Sequence, residues 1–238
     1  MMKSVCLLSG GLDSLVSLAL AKKETEVLLA LTFDYGQRSF RDEKESSAKI
    51  ASHYGVHHKI IKIDWLGEIT TTALVDKKKT VPSVTEKEID TKPDLLHNNA
   101  KLVWVPNRNA VFVNIAASFA ESLGADQIVA GFNSEEAATF PDNSLQFVNC
   151  VNSLFRVSTF SKPRLISYVQ SYNKGGIVNT GIKMKVPFEL LYSCYNSSKD
   201  GRMCGTCESC VRLKMAFKGT GNFEIIKDRF VEGDIKHR

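Results

Sequence analysis

An apolar strand that runs directly into a pair of glycines and then into a helix constrains this sequence more than any other feature. Residues 4–21 read SVCLLSGGLDSLVSLALA, with Gly10 and Gly11 at the turn. Successive glycines allow backbone N–H groups to converge on one point, and the helix that follows adds the positive end of its dipole. The hydroxyls of Ser9 and Ser14 add further donors. The stretch therefore predicts an oxyanion-binding loop between a strand and a helix.

This loop lacks the lysine of an ordinary Walker loop. In a Walker loop, the lysine stabilises charge on the β- and γ-phosphates while the γ-phosphoryl group is transferred. Residues 9–14, SGGLDS, contain no lysine. A loop that holds the β- and γ-phosphates as one leaving unit suits attack at the α-phosphate, with release of pyrophosphate. Asp13 fits two roles, a cap on the helix N-terminus or a ligand of magnesium.

Strands and helices alternate over the first half of the chain. The predicted strands are 4–8, 27–33, 59–63 and 127–130, and the predicted helices are 13–23, 40–54 and 110–123. Such alternation indicates right-handed crossovers and a doubly wound parallel sheet, which gives an α/β fold class. Ligands of such sheets bind beyond the carboxyl ends of the strands, so the candidate site segments are 9–14, 34–38 and 131–143.

The sequence pattern changes after residue 143. We predict an α/β domain over residues 1–143 and a small helical region over 144–238, with helices at 144–157 and 174–181. Residues 76–102 show almost no periodicity. A stretch of that length without structure is typical of a lid, a binding loop or a disordered segment, and a mobile surface excursion is an equal alternative.

Four cysteines near the C-terminus have the spacing of a metal site. Cys194, Cys204, Cys207 and Cys210 are separated by nine, two and two residues. Two overlapping Cys-x-x-Cys pairs with a fourth thiolate upstream supply the ligands of a closed tetrahedral zinc site, which we expect to be structural. An iron–sulfur cluster is the main alternative, and dithiol redox chemistry is a third. The basic residues expected to offset the thiolate charge are Lys199, Arg202, Arg212 and Lys214.

The two remaining cysteines and the overall charge suggest an ordinary protein of a reducing compartment. Cys6 and Cys150 are expected to be buried core thiols. The 31 basic and 26 acidic residues give a net charge of +5, which suits a small polyanion and gives weak support to nucleic-acid binding. No apolar stretch reaches the roughly 20 residues that span a bilayer, and glycines interrupt the N-terminal run too early for a secretory signal. We therefore expect a cytoplasmic location and no membrane partner.

Further motifs follow the glycine loop in order along the chain. They are TFDYGQR at 32–38, VPNRN at 105–109, GFNSEEAATFPDN at 131–143, NKGGIV at 173–178 and SCYNSSKDGRMCGTCESC at 193–210. Together with SGGLDS, they make the chain resemble the 7-cyano-7-deazaguanine synthases of queuosine biosynthesis, a family within the PP-loop ATP pyrophosphatases. The resemblance covers nearly the whole length and implies a PP-loop fold of the adenine nucleotide alpha hydrolase type over residues 1–143.

That resemblance implies an ATP-dependent ligase whose substrates are ATP, 7-carboxy-7-deazaguanine and ammonia. The carboxylate is adenylated, ammonia displaces AMP to give an amide, and a second ATP activates the amide oxygen so that elimination leaves a nitrile. The implied cofactors are one structural zinc ion per chain and magnesium with ATP. A homodimer is compatible with the resemblance, whereas stable nucleic-acid binding is not expected.

The resemblance also implies roles for individual residues. Catalytic roles fall to Asp13, Ser14, Arg108 and Lys174. The ATP contact comprises Leu8, Ser9, Gly10, Gly11, Leu12, Asp13, Ser14, Leu15, Val16, Ser17 and Leu18. The adenosine or deazaguanine contact includes Asp34, Tyr35, Gln37 and Arg38, and the acceptor pocket includes Glu136, Phe140 and Asp142.

Two alternatives stay open on the sequence alone. One is another adenylating PP-loop enzyme that acts on tRNA, although such enzymes usually carry an RNA-binding extension or stronger basic patches. The other is a non-catalytic module in which the loop and the zinc site serve recognition only.

Overall fold

Parallel strands form the centre of the protein, with the N-terminal strand in the middle. The computed structural model describes residues 1–196 and 200–231, and within these ranges five strands make one sheet. The strands are β1 (Lys3–Leu7), β2 (Glu26–Asp34), β3 (His58–Lys62), β4 (Gln127–Val129) and β5 (Arg164–Ile166). Their order is β3-β2-β1-β4-β5, and all neighbouring pairs are parallel. The doubly wound prediction is confirmed, and the switch point lies between β1 and β4.

Helices cover both faces of this sheet. They are α1 (Leu12–Glu24), α2 (Phe40–His53), α3 (Asp64–Glu68), α4 (Glu86–Thr91), α5 (Pro93–Val103), α6 (Arg108–Leu123), α7 (Ser134–Ala137), α8 (Leu145–Ser158), α9 (Lys174–Lys183) and α10 (Glu208–Gly219). The core on one face includes Leu15 of α1 and Ile177 of α9, and the core on the other includes Val113 of α6 and Phe155 of α8. Across the described ranges, no helix has both the length and the apolar character needed to cross a membrane.

The predicted elements agree with the structure to within two residues at each end. The strand β5 was not predicted. It pairs with β4 through Gln127 opposite Arg164 and Val129 opposite Ile166, so the sheet continues beyond residue 143. The division of the chain at that residue stays a prediction.

The prediction that residues 76–102 lack structure is wrong, because this stretch contains α4 and most of α5. A capping box starts α4: the Thr85 side chain accepts from the Glu88 N–H, and the Glu88 carboxylate accepts from the Thr85 N–H. The stretch also packs on the cysteine-rich segment, since the Val84 N–H donates to Thr206 O at 3.0 Å. Local capping and this docking together hold a stretch that has no clear apolar stripe.

Candidate active site

The glycine loop joins β1 to α1 as predicted. Gly10 has a φ of +84°, in the left-handed region that glycine adopts without strain. A side chain there would also collide with Ser46, whose Oγ lies 2.6 Å from the position of a Cβ. The two hydroxyls of the loop, Ser9 Oγ and Ser14 Oγ, lie 3.2 Å apart. The sequence SGGLDS therefore folds as a tight strand-to-helix turn with hydroxyl groups on its open side.

A cavity of about 260 Å³ opens at the carboxyl ends of β1, β2 and β4, beside the glycine loop. The predicted site residues in its lining are Leu8, Ser9, Gly11, Asp13, Ser14, Tyr35, Gln37, Arg108, Glu136 and Lys174. The side chains of Leu12, Leu15, Val16 and Leu18 lie in the core instead. These core residues fix the helix behind the loop. The cavity occupies the switch point, where ligands of doubly wound sheets bind.

Lys174 brings a positive charge to the glycine loop from the start of α9. Its Nζ lies 2.5 Å from Asp13 Oδ2 and 2.7 Å from Glu136 Oε1. Burial alone would lower the pKa of Lys174, but the two carboxylates outweigh it and raise that pKa above the usual lysine value. Lys174 in turn holds the pKa of Glu136 below its usual range. The two carboxylates therefore favour the charged form of the ammonium, which lies beside the glycine loop.

The two carboxylate oxygens of Asp13 differ in their hydrogen bonding. Its Oδ2 accepts from Lys174, whereas its Oδ1 is buried and has no hydrogen-bond partner among the residues that the structure describes. Burial raises the pKa of Asp13 to about 6 in spite of the lowering effect of Lys174. A buried carboxylate oxygen without a partner fits a bound cation or water. Asp13 does not cap α1, whose N-cap is Gly11.

A hydrogen-bonded group on the β2 side of the cavity includes a residue that the sequence did not suggest, Glu43. Its two oxygens accept from Ser39 Oγ at 2.6 Å and Gln37 Nε2 at 2.9 Å. Burial raises the pKa of Glu43. Arg108, at the start of α6, donates to Tyr35 Oη at 3.2 Å. Gln37 and Tyr35 are thus held in place by neighbours that also line the cavity.

Asp34 and Arg38 lie outside this cavity. They line a neighbouring open depression, which shares Gln37 with the cavity. Arg38 Nη2 donates to the carbonyl oxygens of Asp76 and Lys79, each at 2.8 Å, and Asp34 Oδ1 accepts from the Gly36 N–H at 3.1 Å. These contacts hold the surrounding loops, and the role of both residues in substrate binding stays a prediction.

Glu136, Phe140 and Asp142 meet in a small second cavity of about 40 Å³ next to Arg108. Two aromatic residues that the sequence did not suggest, Trp104 and Tyr195, share its lining. The rings of Trp104 and Phe140 are nearly parallel, with centroids 5.9 Å apart and an interplanar angle of 8°. Flat aromatic faces beside carboxylates suit a planar, polar-edged base. Trp104 directly precedes the VPNRN motif in the sequence. This adjacency is the sequence signal that could have identified Trp104 as a site residue.

The four predicted metal ligands come together. The sulfur atoms of Cys194, Cys204, Cys207 and Cys210 all lie within 4.8 Å of one another, with two pairs at 3.9 Å. Zn–S bonds of about 2.3 Å in a tetrahedron place sulfur atoms about 3.8 Å apart. The cluster can therefore hold a metal ion. Cys194 and Ser209 of the same segment also line the main cavity.

Hydrogen bonds to the sulfurs come from the cysteine segment itself, from backbone N–H groups and from the side chains of Asn196 and Thr206, which both donate to Cys204 Sγ at 3.7 Å. The N–H groups of Asn196 and Cys204 donate to Cys194 Sγ at 3.3 and 3.4 Å, and the Cys207 N–H donates to Cys204 Sγ at 3.4 Å.

The expected basic residues have other partners: Arg202 pairs with Asp200, Arg212 pairs with Glu208 and Glu135, and Lys214 donates to Gly205 O. Lys199 lies outside the described residues.

The two other cysteines differ from each other. Cys6 is buried in β1 as expected, and burial raises its pKa to about 12. The prediction that Cys150 is a core thiol is wrong, because Cys150 is exposed on α8. The buried face of that helix carries Val148, Val151 and Phe155, and residue 150 lies off this face.

A doubly wound parallel sheet with a glycine anion loop and a cavity at its switch point defines a nucleotide-binding α/β protein. The model of one family, queuosine biosynthesis protein QueC, matches residues 3–221. The chain belongs to the QueC family, which confirms the resemblance stated above.

Curated relatives agree with the family match. A 7-cyano-7-deazaguanine synthase of Pelotomaculum thermopropionicum is 50% identical over 220 residues, which cover 92% of this chain and 98% of that protein. A second, from Methanosarcina mazei, is 46% identical over 233 residues, which cover 97% and 98%. Among solved structures, a 4-thiouridine synthetase–RNA complex with bound ATP has a TM-score of 0.51 at 18% identity, covering 97% of this chain and 54% of that one. This last likeness concerns the fold alone.

Proposed function

We propose that the chain is an ATP-dependent carbon–nitrogen ligase that converts 7-carboxy-7-deazaguanine and ammonia into 7-cyano-7-deazaguanine. The observation that carries the proposal is 50% identity, over 98% of its length, with a protein named 7-cyano-7-deazaguanine synthase. The site supports it, because an anion loop and an aromatic, carboxylate-lined cavity lie side by side. The family match favours this ligase over a tRNA-acting enzyme.

The reaction consumes two ATP molecules in two activations. The substrate carboxylate attacks the α-phosphate of ATP, which forms an acyl adenylate and releases pyrophosphate. Ammonia then displaces AMP and loses a proton, and the product is an amide. The amide oxygen attacks the α-phosphate of a second ATP and releases pyrophosphate, and loss of AMP and of both protons of the amide nitrogen leaves the nitrile. Both activations have pyrophosphate as the leaving group, so charge stabilisation there is the main task of the protein.

The glycine loop and Lys174 are proposed to hold that pyrophosphate. Ser9, Gly11 and Ser14 line the cavity, and their hydroxyl and N–H groups are the proposed donors. Lys174 lies at hydrogen-bond distance from Asp13, which lines the same cavity. The loop thus obtains from α9 the cation that a Walker loop carries within its own motif. Arg108, at the opposite wall, is proposed to neutralise phosphate charge as the adenylate forms.

Asp13 fits a magnesium ligand, because its unpartnered buried Oδ1 is the kind of oxygen that magnesium prefers. Magnesium bound there would neutralise charge on the pyrophosphate oxygens. The cysteine cluster fits zinc, since four thiolates at tetrahedral spacing leave no open position. We assign the zinc a structural role. A cytoplasmic location belongs to the same proposal, because intracellular ATP is the co-substrate.

The deazaguanine is proposed to bind across the main cavity and the second cavity, because the second cavity, at about 40 Å³, is too small to enclose a base by itself. Its base would lie against Phe140 and Trp104, and the Asp142 carboxylate would accept hydrogen bonds from the N–H edge of the base. Arg108 and Glu136 line both cavities. The carboxyl group to be activated would then face Arg108 and the main cavity.

Mass spectrometry of the product tests the proposal. The purified chain is incubated with ATP, magnesium, ammonium and 7-carboxy-7-deazaguanine, and we expect the nitrile together with AMP and pyrophosphate. Asp13→Ala should give no product, whereas Asp94→Ala, at an exposed position on α5, should match the wild type. An adenylated product on tRNA, or no turnover with all substrates present, would contradict the proposal.

A further inference from the structure

Residues 192–194 connect the cysteine cluster to the glycine loop. The Tyr192 N–H donates to Gly10 O at 2.8 Å, and Ser193 Oγ accepts from the Leu12 N–H at 3.3 Å. The next residue, Cys194, is one of the four clustered cysteines. A metal ligand is therefore separated from the anion loop by a single residue, Ser193.

Two contacts fix the direction of the peptide between Gly10 and Gly11. In a trans peptide, the carbonyl and the following N–H point in opposite directions. Gly10 O accepts from the Tyr192 N–H at 2.8 Å and from Ser46 Oγ at 3.1 Å, so the Gly11 N–H is directed to the other side, where Ser9 Oγ lies 3.4 Å away. Gly11 lines the cavity. The orientation of this main-chain N–H thus depends on residue 192 together with Ser46.

Ser193 itself is attached to the cysteine segment through its backbone. Its carbonyl accepts a hydrogen bond from Ser209 Oγ, and its N–H donates to Met203 Sδ at 3.3 Å. Ser209 and Met203 each stand one or two residues from a clustered cysteine. The backbone of Ser193 therefore follows the cysteine segment, while its side chain contacts the first helical N–H of α1.

We propose that Ser193 is a positioning residue that couples metal binding at the cysteine cluster to anion binding at the glycine loop. The inference rests on the proposed function only in taking the anion to be the pyrophosphate of ATP. A coupling of this kind is reciprocal: if the metal improves pyrophosphate affinity by some factor, pyrophosphate improves metal affinity by the same factor.

The first test needs no variant. Zinc-loaded wild-type chain is mixed with an excess of chelator, with or without inorganic pyrophosphate, and the release of zinc is followed. We expect pyrophosphate to raise the apparent zinc affinity by about two- to twelvefold, the range that one hydrogen bond of about 0.5–1.5 kcal/mol supports. Equal zinc retention with and without pyrophosphate would overturn the coupling.

Variants then locate the coupling in the side chain. Ser193→Ala should bind pyrophosphate about two- to twelvefold more weakly in calorimetry and should lose the effect on zinc retention, with its zinc content and melting temperature unchanged. Ser193→Thr keeps an acceptor oxygen and should restore both. Ser153→Ala removes a hydroxyl whose partners among the described residues, Asn149 O and Arg156 Nη2, both belong to α8, and it should behave like the wild type.

The outcomes separate this inference from the proposed function. Wild-type protein that binds no pyrophosphate would refute the nucleotide role of the loop. Pyrophosphate binding that is indifferent to both zinc and Ser193 would refute the coupling alone. Failure to make the nitrile, with the pyrophosphate and zinc effects present, would refute the substrate assignment and leave the coupling intact.

Discussion

Replacement of Lys174 by methionine tests the electrostatics of the site most directly. Methionine keeps much of the volume of the lysine stem and removes only the ammonium. Two carboxylates, Asp13 and Glu136, then lose the cation that lies 2.5 and 2.7 Å from them. The variant therefore measures what it costs to leave two partly buried negative charges without their partner.

The expected cost follows from the exposure of the three groups. Removing one partner of a fully buried ion pair costs about 3–5 kcal/mol. Here the side chains of Lys174, Asp13 and Glu136 are 12%, 20% and 35% exposed, so solvent screens part of the effect. We expect Lys174→Met to lower the free energy of unfolding by about 2–3 kcal/mol near pH 8. For a chain of this size the melting temperature should fall by about 4–12 °C.

The loss should shrink as the pH falls. Burial raises the pKa of Asp13 to about 6 even with Lys174 present. Removal of the ammonium should raise the pKa of Asp13 further, and it should also raise the pKa of Glu136. Folded Lys174→Met then binds more protons than its unfolded chain, whose carboxyl pKa values lie near 4. The state that binds more protons, here the folded state, becomes more stable relative to the other as the pH falls. The stability gap to wild type should therefore narrow between about pH 8 and about pH 6.

Urea or thermal unfolding at the two pH values provides the measurement. Lys49→Met is the control, because Lys49 and its partner Glu45 are more than half exposed and should contribute within about 0.5 kcal/mol. The double variant Lys174→Met with Asp13→Asn should recover part of the loss near pH 8. A gap that stays constant with pH, or widens as pH falls, would refute the electrostatic account.

Three further expectations concern single residues. Asp13→Ala should abolish nitrile formation yet keep the melting temperature, since its buried carboxylate is itself costly; a large loss of stability would contradict this. Cys207→Ser should lose bound zinc and stability together, because metal binding free energy is folding free energy, which metal analysis and calorimetry can follow. Gly67→Ala should cost about 1–3 kcal/mol by overpacking and raise KM, because a Cβ there would overlap the Tyr35 carbonyl; an unchanged KM would contradict the second part.

The central strands could be predicted because their sequences carry the information locally. Residues 4–8 and 27–33 are apolar runs bounded by turns, and the structure has β1 and β2 there. The edge strand β5 has only three residues, RLI, between Pro163 and Ser167. Its conformation depends on pairing with β4, a contact that no window of local sequence contains.

The helix α4 illustrates a different limit. Its capping box was visible in the letters TEKE at 85–88, but the helix buries none of its residues and so produces no apolar stripe. Its support comes from distant partners, among them Lys218, whose ammonium lies 2.5 Å from Glu86. Periodicity alone misses a helix of this kind.

The candidate site likewise contains some residues that the sequence could predict and others that it could not. Ser9, Gly11 and Asp13 follow from one local motif, and Lys174 and Arg108 were placed by resemblance. Ser193 and Tyr195 were missed although they flank Cys194 in a motif that had been noticed. The spacing of cysteines indicates a metal site, but it says nothing of which other part of the chain that site will touch.

The contact between Leu12 and Ser193 spans 181 positions of the chain, and this separation has a consequence for synthesis. At about 5–20 residues per second, roughly 10–40 s pass between the addition of the two residues. During that time the glycine loop lacks the wall that completes it. ATP binding at this loop should therefore distinguish chains that include residue 193 from those that stop before it.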